Sequence, residues 1–106
     1  MKIAVSATGG SKAAKVESRF GRCAYFVIVD SETMKFTAFT NPAGNAPGGA
    51  GPAAVQEIHK HGAEVVLTGQ VGPQAERALQ AADIKIVTNA GGTVEEAVKT
   101  YLSTGA

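Results

Sequence analysis

The sequence predicts an α/β fold, a mixed five-stranded sheet with one antiparallel strand and helices packed on its faces. Three observations carry that reading. Through residues 52–104, short β-branched runs alternate with stretches of helical period, which implies parallel strand pairing. Two strand-like runs, Tyr25–Asp30 and Lys35–Thr40, are separated by only a few polar residues and read as a hairpin. The length, 106 residues, fits one domain over 1–106 and leaves no room for a second.

The elements follow in order. Lys2 to Ala7 (KIAVSA) is short and apolar and stops at Thr8-Gly9-Gly10, as a buried strand before a breaker does. Tyr25 to Asp30 (YFVIVD) is the most strand-like run, and Ser31-Glu32-Thr33 separates it from Lys35 to Thr40 (KFTAFT). Asn41 to Pro52 (NPAGNAPGGAGP) is the only compositionally biased segment and reads as a functional loop. Pro52 suits a helix N1 position, where its missing N–H is not needed. Ala54, Val55 and Ile58 then form one stripe, and Gly62 closes that helix. Glu64 to Thr68 is a strand, and Gly72-Pro73 opens a helix with Ala75, Ala78, Leu79 and Ala82 on one face. Ile84 to Thr88 is the last strand. Thr93-Val94-Glu95-Glu96 is a capping box, opening a helix with Val94, Ala97, Val98, Tyr101 and Leu102 on one face. Gly105 reads as its stop.

In such a sheet, loops leaving the C-terminal ends of parallel strands gather on one edge, and ligands bind there. With Tyr25–Asp30 as the antiparallel strand, its beginning, Arg19-Phe20-Gly21-Arg22-Cys23, lies on that edge too. The expectation is one rim holding every Gly-rich segment, two of the three Arg and the only Cys. Helix N-termini and exposed backbone N–H groups favour anions, and Gly48, Gly49 and Gly51 allow close approach. Arg19 and Arg22 add forked cationic donors. Cys23 has two readings, a thiolate ligand activated by the neighbouring Arg, or a small apolar residue opening a core strand.

Composition excludes much else. The formal net charge is +1, which argues against a dedicated nucleic-acid or membrane-surface binder. One Cys cannot build a disulfide framework or a Cys-rich zinc site. No apolar run is long enough for a bilayer span or a signal peptide, so a small cytoplasmic protein is expected. TGGSKAAK is not a dinucleotide fingerprint, and GNAPGGAG lacks the Lys-Ser/Thr of a P-loop. His59 and His61, two apart on a helix, point in nearly opposite directions and read as surface or capping residues. The carboxylates are scattered, which argues against paired acid/base chemistry.

Four segments together carry a family resemblance: VESRFGRCAYFVIVD at 16–30, GGAG at 48–51, TGQVGPQA at 68–75 and TVEEAV at 93–98. Through them the chain resembles the dinitrogenase iron–molybdenum cofactor biosynthesis family of small, nitrogenase-accessory-like domains. The resemblance implies a three-layer α/β/α domain with a ribonuclease-H-like motif and an antiparallel second strand. It also implies a non-enzymatic binder or carrier of an iron–molybdenum cofactor precursor, or of a related molybdenum–iron or molybdenum–copper sulfide cluster. The implied partners are that metal cluster and the proteins that donate and accept it. By position, Arg19-Phe20-Gly21-Arg22 matches the family's R/H-F-G-R segment, and Asn41 with Gly48, Gly49 and Gly51 matches a segment expected to be mobile without ligand. Arg19 replaces the His of some relatives, so a His ligand is lost there. Cys23, the one candidate metal ligand, is Cys in only part of the family. The alternative function is a protein-interaction or regulatory module of the same fold. In that case the edge strand at Lys35–Thr40 is one place to pair with another chain.

Overall fold

The computed structural model describes residues 1–44 and 48–104. The helix stop expected at Gly105, and residues 45–47 of the Gly/Pro-rich loop, lie outside them.

Five strands, β1 (Lys2–Ala7), β2 (Tyr25–Asp30), β3 (Lys35–Thr40), β4 (Val65–Leu67) and β5 (Lys85–Val87), form one sheet in the order β3-β2-β1-β4-β5. β2 runs antiparallel to both β1 and β3, whereas β1, β4 and β5 are mutually parallel. The first three strands have the bounds expected from sequence; β4 and β5 are each one residue shorter at both ends. Their alternation explains the two cores. Ala4, Phe26, Ile28 and Val66 face one side and meet α1 (Ala50–Lys60) and α2 (Pro73–Ala81). Ile3, Val5, Val27, Val29, Val65 and Leu67 face the other and meet α3 (Val94–Thr104). The result is three layers, with β1, β2 and β4 buried on both faces and the edge strands β3 and β5 only partly covered.

The helix ends differ in a way that bears on the site. At α3 the expected capping box is complete: the Thr93 N–H donates to Glu96 Oε1 at 2.8 Å, and the Glu96 N–H donates to Thr93 Oγ1 at 3.2 Å. The Thr93 donors hold the Glu96 carboxyl below its ordinary pKa. Leu102, expected on the buried face of α3, projects instead to solvent at 41% exposure. Helix α1 begins two residues before the position expected from Pro52, because left-handed Gly49 (φ 70) turns the chain into it and accepts the Ala53 N–H at 3.1 Å. Pro52 is tolerated in that first turn, whose amides have no intrahelical acceptor. Neither α1 nor α2 carries a side-chain cap at its N-terminus.

Among the described residues, no helix is long and apolar enough to cross a membrane.

Candidate functional site: an arginine-lined cleft

The segment between β1 and β2 supplies one wall. A single 3₁₀ turn, Phe20–Arg22, precedes β2. Phe20 anchors it: the ring is 2% exposed and packs 5.4 Å, centroid to centroid, from Phe26. Burying such a ring is worth about 2–3 kcal/mol, enough to fix a short turn that makes little regular hydrogen bonding of its own. The chain ahead of the turn is stitched to the loop after β4. The Gln70 N–H donates to Ser18 O at 2.7 Å and the Phe20 N–H to Gln70 O at 3.2 Å. That crossing requires Gly69, since a Cβ there would stand 2.5 Å from Ser18 Cα and O.

A second junction joins the turn to both helices. A Cβ on Gly21 would lie 3.0 Å from Gly51 Cα, and one on Gly51 would lie 2.8 Å from Ala75 Cβ. The start of α1 is therefore wedged between the 3₁₀ turn and α2, with only glycine thin enough for the gap.

These contacts border a cleft of about 720 Å³ lined by residues 19–22, 48–52 and 70–75 and by Arg77. Arg19, Arg22 and Arg77, every arginine in the chain, line it, joined by Gln70 and Gln74, and among the described residues no carboxylate does. Arg22 is partly held in place, its Nη1 donating to Gly44 O at 3.4 Å. The N-termini of α1 and α2 both open into this space without a side-chain cap, so their first-turn amides face the same volume as the three guanidinium groups. Guanidinium stays charged at any physiological pH. Fixed charge and backbone dipoles together give the cleft the chemistry that suits an anion.

Of the residues expected at the rim, Arg19, Gly21, Arg22, Gly48, Gly49 and Gly51 line this cleft, as does Phe20, whose buried ring makes it chiefly an anchor. Asn41 does not. It is 8% exposed, and its side chain is spent on the protein: Nδ2 donates to Gly21 O at 3.1 Å and to Cys23 O at 3.0 Å, while Oδ1 accepts the Ala43 N–H at 3.1 Å. It fastens the 3₁₀ turn to the loop after β3 and positions Arg22 indirectly.

Cys23 departs furthest from the ligand reading. It is fully buried in the α1/α2 core and is absent from the cleft wall. Burial pushes its thiol up from 9.0 to about 12, outweighing hydrogen bonds from the Ala7 backbone and Asn41. The structure thus places Cys23 as a small core residue, the second of its two readings, and not on the cleft wall where a ligand would sit. Among the described residues, no group of three or more His, Cys, Asp or Glu could hold a metal ion.

The expected single rim is divided by the sheet. All the parallel strands do end on one edge, but Asn89–Gly91 line a separate cleft of about 500 Å³ beside α3, on the opposite face from the arginines. Gly10 packs against Tyr25 and Ala38 on that face as well. Missed from sequence were Arg77, Gln70 and Gln74. The signal for Arg77 was available: it lies four residues after Pro73, one helical turn along, and so on the same side of α2 as the helix start. At the far end of α1, His61 caps the helix, its Nδ1 lying 2.9 Å from Glu57 O, and its ring stacks on Phe39 at 3.9 Å. That agrees with a capping role.

The profile of the dinitrogenase iron–molybdenum cofactor family matches residues 1–104. The chain belongs to that family. Solved structures agree. The apo form of the orange protein from Desulfovibrio gigas is 44% identical, with a TM-score of 0.93 over 96% of this chain and 87% of that one. A Thermotoga protein described as NifB-like and placed in the DUF35 family is 32% identical, with a TM-score of 0.85 over 97% of this chain and 88% of that one. No curated protein matches the chain. Membership makes this family member a small cluster-related protein.

Proposed function

We propose that this family member is a cytoplasmic, non-catalytic carrier of a preassembled anionic molybdenum–sulfur cluster, either an iron–molybdenum cofactor precursor or a related molybdenum–iron or molybdenum–copper sulfide. The observation that carries this reading is the concentration of all three arginines in one cleft, free of carboxylates among the described residues, at the uncapped starts of two helices. The donor chemistry fits such cargo. The charged groups the cleft offers are all guanidinium N–H donors, which suit the outer sulfide or oxide atoms of a finished cluster; a bare metal cation would need thiolate, imidazole or carboxylate ligands. Arg19 and Arg22 hold the cargo from the 3₁₀ turn and Arg77 from α2, while the first-turn amides of both helices donate from the floor. Held without covalent bonds, the cluster passes to an acceptor protein that offers it stronger ligands.

Anaerobic titration of the protein with tetrathiomolybdate, alone and with copper(I) or iron(II), tests this. The expected result is a coloured, stoichiometric complex. Removing one guanidinium by Arg77→Gln or Arg19→Gln forfeits a charge-assisted hydrogen bond worth about 1.5–3 kcal/mol, and so weakens binding by about ten- to a hundredfold. Complex formation indifferent to both substitutions would place the cargo elsewhere. Absence of any complex, with partner-induced NMR shifts confined to a helix face, would favour the interaction-module reading.

A further inference from the structure

Helix α2 is capped less well than its backbone permits. Gly72 is its N-cap, with its carbonyl accepting the Glu76 N–H at 2.9 Å. Its backbone is extended (φ −74, ψ 165), which any residue adopts, and a Cβ there would meet nothing within 4 Å. Serine, threonine, aspartate and asparagine are better caps, because a side-chain oxygen accepts the N2 or N3 amide. This chain uses that device at α3, where Thr93 does so. Fold requirements alone therefore do not explain glycine at 72, in contrast to Gly51 and Gly69, where backbone or side chain stands in the way. On Gly48, on the α1 side of the same cleft, an added Cβ also meets nothing within 4 Å among the described residues. A serine at 72 would cap the Gln74 or Ala75 amide and put its Cβ into the space shared with Arg77.

We infer that Gly72, with Gly48 across from it, is a specificity-determining residue of the cleft: its missing side chain keeps the α2 amides bare so that a compact polyanion can close directly onto the backbone. The inference rests on the carrier reading and sharpens its ligand class. The cargo is rigid, with exposed sulfide or oxide atoms and no flexible arm to reach past a side chain; a nucleotide or other phosphorylated organic molecule has such an arm.

The test pairs Gly72→Ser with Gly91→Ser. Gly91 is equally open but lines the other cleft. Thermal unfolding by circular dichroism should show Gly72→Ser as stable as the parent protein or more so. Anaerobic absorbance titration with tetrathiomolybdate and copper(I) should show its affinity reduced at least tenfold, with Gly91→Ser unchanged. A lower Tm for Gly72→Ser would mean the fold itself demands glycine and would overturn the inference. Unchanged binding by Gly72→Ser, while the parent protein binds, would overturn it and leave the carrier reading standing. A parent protein that forms no complex would remove the carrier reading and this inference with it. Binding of ADP as tight as that of the thiometallate would overturn the ligand class.

Discussion

The junction between the 3₁₀ turn and the two helices makes a quantitative prediction at Gly51. Alanine there would place its Cβ 2.8 Å from Ala75 Cβ, where carbon atoms in favourable contact stand about 3.5–4.0 Å apart. About 1 Å of separation is needed, and α1 cannot retreat, because Gly21 already packs against Gly51 on the other side. Overpacking of this kind costs about 1–3 kcal/mol. Replacing glycine in a helix returns up to about 1 kcal/mol, less in a first turn. The net expectation for Gly51→Ala is about 1–2 kcal/mol of lost stability, which for a chain of this size lowers Tm by about 5–15 °C. The assay is urea and thermal unfolding followed by circular dichroism, on a cycle with Ala75→Gly. If the clash is the cause, the double variant recovers stability relative to the sum of the single changes, with a coupling of at least about 1 kcal/mol. Additive effects, or a Gly51→Ala protein as stable as the parent, would refute the wedged-helix argument.

Three further outcomes follow from the same structure. Asn41→Ala leaves the Gly21 and Cys23 carbonyls without their side-chain donor and should cost about 2–3 kcal/mol in urea unfolding, while Asn41→Asp, which keeps the shape but loses the donor, should not rescue it. Cys23 should resist iodoacetamide at pH 8 in the native protein and react on unfolding. Because its folded pKa is raised, the stability it contributes is complete below pH 9.0 and declines as pH rises from there towards about 12; a Cys23→Ala protein should lose that part of the alkaline slope. Thr93→Ala removes the α3 cap and should cost about 1 kcal/mol by thermal unfolding without altering thiometallate binding, since α3 lies on the other face of the sheet.

The frame of the fold was legible because its signals are local. Hydrophobic period, the hairpin spacing of β2 and β3, and the Thr93/Glu96 box each depend on residues close in sequence, and all three appear in the structure. The strand directions then brought Arg19 and Arg22 to the correct edge. What sequence order does not supply is the division of that edge by the sheet's thickness, which separates Asn89–Gly91 from the arginine cleft. Cys23 was ambiguous for a related reason. Its arginine neighbours along the chain suggest an activated thiolate, but at the start of an extended strand successive side chains point to opposite sides, and Cys23 turns into the α1/α2 core. The 3₁₀ turn is not legible in sequence because its order comes from contacts outside its own three residues, Phe20 with Phe26 on the next strand and Ser18 with the distant Gln70.

The reversal of β2 has a consequence for how the molecule can be modified. Because one strand runs backwards, the chain leaves β1, enters β2 and leaves β3 on the arginine edge, and the opposite edge keeps only short reversals: the β2–β3 turn and the links from α1 to β4 and from α2 to β5. The β2–β3 turn, with Met34 at φ 56 and 38% exposed, touches neither cleft. It is accordingly the attachment point of choice for a fluorophore, an affinity handle or a fused domain, placed a full strand length from the arginine cleft and separately adjustable from it.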